Sequence, residues 1–296
     1  MAAVTKPAAW LAAARPRTLL AALAPIAVGT ALAAAEHAAR AGIALLALAT
    51  ALLLQIAANF ANDLFDFEKG ADTAERRGPP RAVQSGWLTP VEMRAGIAGA
   101  VALATASGLG LVAVGGWPIA LAGLLSLGAA LAYTGGPWPL GYHGLGDLCV
   151  FLFFGPVGVA GSHYVQAGVL SPLALWASLP VGALVTAILV VNNLRDLAGD
   201  ARAGKRTLAV RLGARATRSY LALLLALGFA APLVLVAAGR APATAALPLV
   251  ALPLGFRLAL AVQRARDSAE WNAALAESAR LAGVFGLLFA AGLAAA

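Results

Sequence analysis

Long apolar runs, with hydrophobic residues at nearly every position rather than at every second or every fourth, dominate the chain. Runs of about twenty such residues match the thickness of a hydrocarbon layer crossed by a helix. They fall near residues 18–35, 41–61, 95–115, 117–134, 147–167, 172–193, 219–238, 242–262 and 279–296. No period-two alternation marks lipid-facing strands, and only helices or closed barrels satisfy their backbone groups in lipid. The pattern therefore predicts an all-α, polytopic membrane protein of nine transmembrane helices, forming a single domain over residues 1–296. Short turns at Gly115-Gly116-Trp117-Pro118 and between Gly168 and Pro172 predict tight antiparallel hairpins.

Composition agrees with this pattern. The 296 residues are 61% hydrophobic and only 11% charged, and their mean hydropathy is +0.84; soluble domains carry about 25% charged residues. The net charge of +8 does not mark a nucleic-acid module, because the cations sit in short loops between apolar runs. With the N-terminus in the cytoplasm, all of the 21 Lys and Arg residues except Arg40 and Arg240 fall on the cytoplasmic side, as the positive-inside rule requires. A bacterial cytoplasmic (inner) membrane, with N-terminus and acidic segments facing the cytoplasm, is the expected setting. The single cysteine, Cys149, forms no intrachain disulfide and no Cys-x-x-Cys pair; His143 and His163 match no metal spacing.

Two acidic stretches break the hydrocarbon. The first runs from Asn59 through Asn62, Asp63 and Asp66 to Asp72, and the second from Asn192 through Asp196 to Asp200. Asn62 and Asp66 are one helical step of four apart, and Asn192, Asp196 and Asp200 repeat that step, which puts each set on one helix face. Both stretches end an apolar run, the second and the sixth, which suggests two similar halves facing each other. Carboxylates converging at membrane depth repel unless a cation neutralises them, and hard oxygen donors favour magnesium over zinc. Magnesium commonly bridges to phosphate. Lys69, Arg76, Arg77 and Arg81 follow the first stretch, and Arg202, Lys205 and Arg206 follow the second, so a diphosphate head with its isoprenoid tail in the apolar interior is the expected ligand. Arg81, Lys205 and Arg206 are its candidate contacts. Asp63, Asp66, Asp72, Asp196 and Asp200 are the candidate metal ligands, with Asp63, Asp66, Asp196 and Asp200 read as catalytic. Asn62 and Asn192 share the carboxylate face, Tyr133 is placed to orient an aromatic acceptor, and Asp147 is either a helix N-cap or a site residue.

Four blocks carry a family resemblance. They are Asn62-Asp63-Leu64-Phe65-Asp66 through Asp72 with Arg77-Gly78-Pro79-Pro80-Arg81; Ala132-Tyr133-Thr134-Gly135-Gly136; Gly144-Leu145-Gly146-Asp147; and Asn192-Asn193-Leu194-Arg195-Asp196 through Gly204-Lys205-Arg206-Thr207-Leu208-Ala209-Val210-Arg211-Leu212-Gly213. On these the chain resembles the UbiA superfamily of intramembrane prenyltransferases, and within it the 1,4-dihydroxy-2-naphthoate branch. The resemblance implies a central cavity, a magnesium-dependent site at the cytoplasmic end, and a lateral opening for the lipid tail. It further implies that a polyprenyl diphosphate and 1,4-dihydroxy-2-naphthoate are the substrates, and that demethylmenaquinone, carbon dioxide and diphosphate are the products. Four residues after Asp66, where other branches place an acid, this chain has Gly70, so the nearest acid, Asp72, either binds metal or organises the loop. A 4-hydroxybenzoate or other quinone-precursor acceptor is the alternative within the superfamily. A secondary transporter is the alternative of another class, disfavoured because the acids gather at one face beside basic loops rather than at the midplane.

Overall fold

The computed structural model describes residues 4–72 and 78–295; Arg76 and Arg77, read as loop cations, lie outside the described residues. Every regular element among them is helical. A short helix α1 (Lys6–Ala14) precedes nine apolar helices: α2 (Leu20–Ala35), α3 (Ala41–Glu68), α4 (Pro90–Gly115), α5 (Trp117–Ala132), α6 (Gly146–Ala167), α7 (Pro172–Arg202), α8 (Leu208–Ala237), α9 (Ala243–Arg264) and α10 (Ser268–Ala294). Seven are long and apolar enough to cross a membrane alone, whereas α2 and α5 are shorter. Each predicted run has its helix. The main differences lie at the ends, because α3 and α7 carry their acidic stretches as unbroken helix and α10 begins well before its apolar part.

Local sequence explains the ends. Thr89 opens α4 with a capping box: its hydroxyl accepts from the Glu92 amide, and Glu92 accepts from the Thr89 amide at 2.8 Å. Pro90 and Pro172 occupy first-turn positions, where a missing amide N–H costs nothing. After Glu68 the chain turns at Gly70, whose φ of 67° is in the left-handed region that glycine enters without strain. Helix α6 widens to a π-helix over Phe153–Ala160, around Pro156; proline lacks the N–H that an α-turn needs there.

Helix α7 is the axis of the larger core. Its apolar window is 78% buried, against 11% for α3 and 17% for α4, so α7 is surrounded by protein while the other two expose broad lipid-facing sides. It packs on α6, α8 and α10, and α2 closes against α10. Ala and Gly permit that proximity. A methyl at Gly286 would lie 2.3 Å from the Ala24 Cβ, too close for any real contact, so this is a small-residue crossing of the kind that drives helix association in lipid. A second core, of Ala9, Ala13, Phe60, Leu64, Ala82, Val83, Leu88 and Met93, fastens α1 and the 78–88 segment onto α3 and α4. That fastening brings Arg81 to the acidic end of α3.

Candidate active site

The acidic ends of α3 and α7 open onto one cavity of about 310 Å³. Asn62 and Asp66 reach it from α3, and Asn192, Asp196 and Asp200 from α7; Arg81 and Lys205 complete the polar end. Deeper in, the walls turn apolar, with Ile26 and Leu54 on one side and Val150, Phe153, Phe154 and Ile188 on the other. Two sequence segments about 130 residues apart thus share one chamber, each contributing the helix face that its four-residue step defines.

Asp66 is held by three neighbours. Lys205 Nζ lies 2.8 Å from its Oδ1, the Tyr142 hydroxyl donates to the same oxygen at 2.9 Å, and Arg81 Nη2 lies 3.4 Å from Oδ2. Arg81 is itself bracketed, with Nε 3.3 Å from Asp72 Oδ2. Its Nη1 is buried without a hydrogen-bond partner, and a desolvated guanidinium N–H in a ligand cavity favours an anion. Across the chamber, Arg195 donates through Nε and Nη2 to the two oxygens of Asp196 at 2.8 and 2.7 Å, through Nη2 to Asn192 Oδ1 at 2.8 Å, and through Nη1 to Asn272 Oδ1 at 3.0 Å. The planar fork fixes Asp196 and Asn192 and ties α7 to α10.

Several sequence expectations change here. Asp63, read as a metal ligand, does not line the cavity: its oxygens accept the amide N–H groups of Val83 at 2.9 Å and Ala82 at 3.0 Å. One residue after Asn62 on a helix, it points some 100° away and holds the 78–88 segment instead. Asp72 backs Arg81 and does not line the cavity either. Arg206 faces a different pocket, outside the chamber. Asp147 is buried behind the wall, its Oδ2 lacking a hydrogen-bond partner. Tyr133 does line the chamber, in a slot between glycines: a methyl at Gly146 would lie 2.6 Å from its hydroxyl oxygen, and one at Gly141 3.0 Å from its ring. Asn62 Oδ1 accepts from the Thr134 hydroxyl at 2.8 Å.

Tyr142 and Arg195 are the site residues that sequence reading passed over. Tyr142 lies on a 3₁₀ turn, Leu140–His143, closed by Gly144 at φ 77°, and Lys205 and Lys69 stand 4.9 and 5.0 Å from its ring centroid. The only sequence signal was a tyrosine bracketed by Gly141 and Gly144; the lysines that meet it lie more than sixty residues away in the chain. Arg195 was legible as an arginine three residues after Asn192 and next to Asp196. Burial pushes the phenols of Tyr133 and Tyr142 up, helped by Asp147 beside the first and Asp66 beside the second, so both remain donors at neutral pH.

Among the described residues no three acidic, His or Cys side chains cluster closely enough to hold a metal unaided. The donor set nevertheless fits magnesium completed by a ligand's phosphate oxygens. Asp66, Asp196 and Asp200 offer hard oxygens on facing walls, and magnesium takes one or two carboxylates plus phosphate and water.

A multi-pass bundle holding an acid-and-base-lined chamber above an apolar pocket defines a membrane protein built for an amphiphile with an anionic head. The chain belongs to the UbiA prenyltransferase family, whose pattern matches residues 22–293. It is 46% identical over 228 residues to the 1,4-dihydroxy-2-naphthoate octaprenyltransferase of Escherichia coli, covering 75% of this chain and 74% of that one. With the protein of the same name from Haemophilus influenzae it shares 37% identity over 292 residues, 96% and 95% of the two chains. Its fold matches a UbiA homologue from Archaeoglobus fulgidus bound to GPP and Mg2+, at a TM-score of 0.63 and 16% identity, over 95% of this chain and 99% of the other.

Proposed function

We propose that this protein transfers a polyprenyl group from polyprenyl diphosphate to 1,4-dihydroxy-2-naphthoate, with magnesium, at the cytoplasmic face of a bacterial cytoplasmic membrane. The observation that carries the reading is the shared chamber: Asp66 from α3 and Asp196 and Asp200 from α7 face one another beside Arg81 and Lys205. The names of the 37–46% identical relatives favour the naphthoate acceptor over hydroxybenzoate.

Magnesium held by Asp66, Asp196 and Asp200 would act as a Lewis acid on the diphosphate. Arg81 and Lys205 meet the negative charge that grows on the leaving diphosphate as the allylic C–O bond breaks. The walls of Phe153, Phe154, Val150 and Ile188 seat the tail and keep water from the allylic carbon. The acceptor ring attacks that carbon at its carboxylate-bearing position, and the new C–C bond forms as the C–O pair leaves with diphosphate. Loss of the carboxylate as carbon dioxide returns its bonding pair to the ring and restores aromaticity. Charge balances without an external oxidant. Tyr133, a protonated phenol in the wall, is the group placed to orient the acceptor's oxygens.

The test is incubation of purified protein with magnesium, a polyprenyl diphosphate and each acceptor, with products read by mass. The reading expects demethylmenaquinol, the hydroquinone form of demethylmenaquinone, from dihydroxynaphthoate and loss of turnover on chelation. Alkylation of hydroxybenzoate alone would overturn the acceptor assignment. Flux of an unaltered solute into proteoliposomes, with no alkylated product, would favour a transporter.

A further inference from the structure

Behind Tyr142 lies a second pocket, of about 460 Å³, that the reaction leaves without a task. Lys69, His143, Arg206 and Arg211 line it, and no carboxylate does so among the described residues. Tyr142 belongs to both spaces. Lys205 lines the inner chamber and Lys69 the outer pocket, and both approach the Tyr142 ring, at 4.9 and 5.0 Å from its centroid. The phenol is tethered inward, to Asp66. The backbone behind it is tethered outward: the Tyr142 carbonyl accepts from the Arg206 amide at 2.9 Å, and Arg211 Nε donates to the Arg206 carbonyl at 3.2 Å.

Cations gathered in a pocket whose described lining holds no carboxylate repel one another. Partial burial lowers the Lys69 pKa and the charge of Lys205 lowers it further, against the opposing pull of the Asp66 carboxylate in the inner chamber. A polyanion relieves that repulsion. Because Lys69, Arg206 and Arg211 are exposed, water and salt screen their attraction, which suits a ligand in transit rather than one held for chemistry.

We infer that this outer basic pocket is a second, weaker site for inorganic diphosphate, which receives the product once it has passed Tyr142 and releases it to water. The inference rests on the proposed reaction, which supplies the diphosphate. Anionic lipid headgroups present the same phosphate chemistry at this end of the bundle, so the test must separate the two sources.

The full chain, in nanodiscs of zwitterionic lipid, is saturated with magnesium and a prenyl thiodiphosphate to fill the inner chamber, then titrated with inorganic diphosphate in a calorimeter. One further diphosphate is expected to bind, about tenfold more weakly in Arg211→Gln and several-fold more weakly in Lys69→Gln, with weaker binding at higher ionic strength. Thiodiphosphate affinity in both variants should stay within about twofold of wild type, which also reports that they are folded. Absence of a second binding event, or one indifferent to both substitutions, overturns the inference. So does an Arg211→Gln effect confined to retention of anionic-lipid vesicles, which would assign the pocket to headgroups. Failure of the wild type to bind the thiodiphosphate at all would instead sink the proposed reaction.

Discussion

Replacing Asp63 by Asn is expected to cost stability before it costs chemistry. The Asp63 carboxylate is 1% exposed and accepts two backbone N–H groups, from Ala82 and Val83. An Asn side chain offers one oxygen to one of them and turns its own NH2 toward the other. One charge-assisted hydrogen bond is lost, and one buried donor faces a donor; each of these is worth about 1–3 kcal/mol, so the sum is on the order of 2–6 kcal/mol. Thermal unfolding in detergent should show it as a drop in apparent Tm of roughly 5–10 °C. Because the same segment carries Arg81, the KM for prenyl diphosphate should rise, while magnesium affinity in the presence of a thiodiphosphate analogue changes little. Asp200→Asn should do the opposite, abolishing turnover with no comparable loss of Tm. An Asp63→Asn protein that melts like wild type but has lost magnesium binding would refute this assignment and return Asp63 to the metal site.

Arg195→Gln leaves the Asp196 carboxylate without its buried partner and cuts the tie to Asn272; a loss of about 3–5 kcal/mol is expected, read as a lower Tm together with weaker magnesium binding. Gly29→Ala places a methyl 1.9 Å from Ser162 Oγ and 2.4 Å from the Val159 carbonyl oxygen, so α2 must part from α6; about 1–3 kcal/mol of destabilisation and reduced yield in the membrane should follow. Lys69 titrates below its ordinary value of 10.5, first through burial and then through Lys205, with Asp66 opposing. Its charged form is therefore lost earlier as pH rises, and diphosphate binding to the outer pocket should weaken at a lower pH than an ordinary lysine would impose; Lys69→Gln should flatten that profile.

Hydropathy carried most of the architecture, because in lipid the solvent dictates both helix length and helix character. The shared chamber was legible for the same kind of reason, since a four-residue step on a helix determines which side chains project together: Asn62 with Asp66, and Asn192 with Asp196 and Asp200. What sequence could not give was direction across a helix of unknown rotation. Asp63, adjacent to Asn62, read as a ligand, but its carboxylate accepts backbone N–H groups nineteen and twenty residues away and so holds a loop. Tyr142 and the division between inner and outer basic residues were hidden similarly. Lys205 and Arg206 are neighbours in the chain yet line different cavities, and only the turn at Leu140–His143 decides which faces which. The π-helical stretch around Pro156 left no periodic trace in an apolar run.

The central claim is that α3 and α7 grip one metal-bound diphosphate between them, and manganese substituted for magnesium reports on it directly. With a prenyl thiodiphosphate present, electron paramagnetic resonance should show manganese bound in the wild type, and Asp66→Asn and Asp196→Asn should each lower its affinity by at least about tenfold, or some 1.4 kcal/mol. Full manganese binding in either variant, with the analogue still bound, would mean that one wall holds the ion alone and would contradict the account.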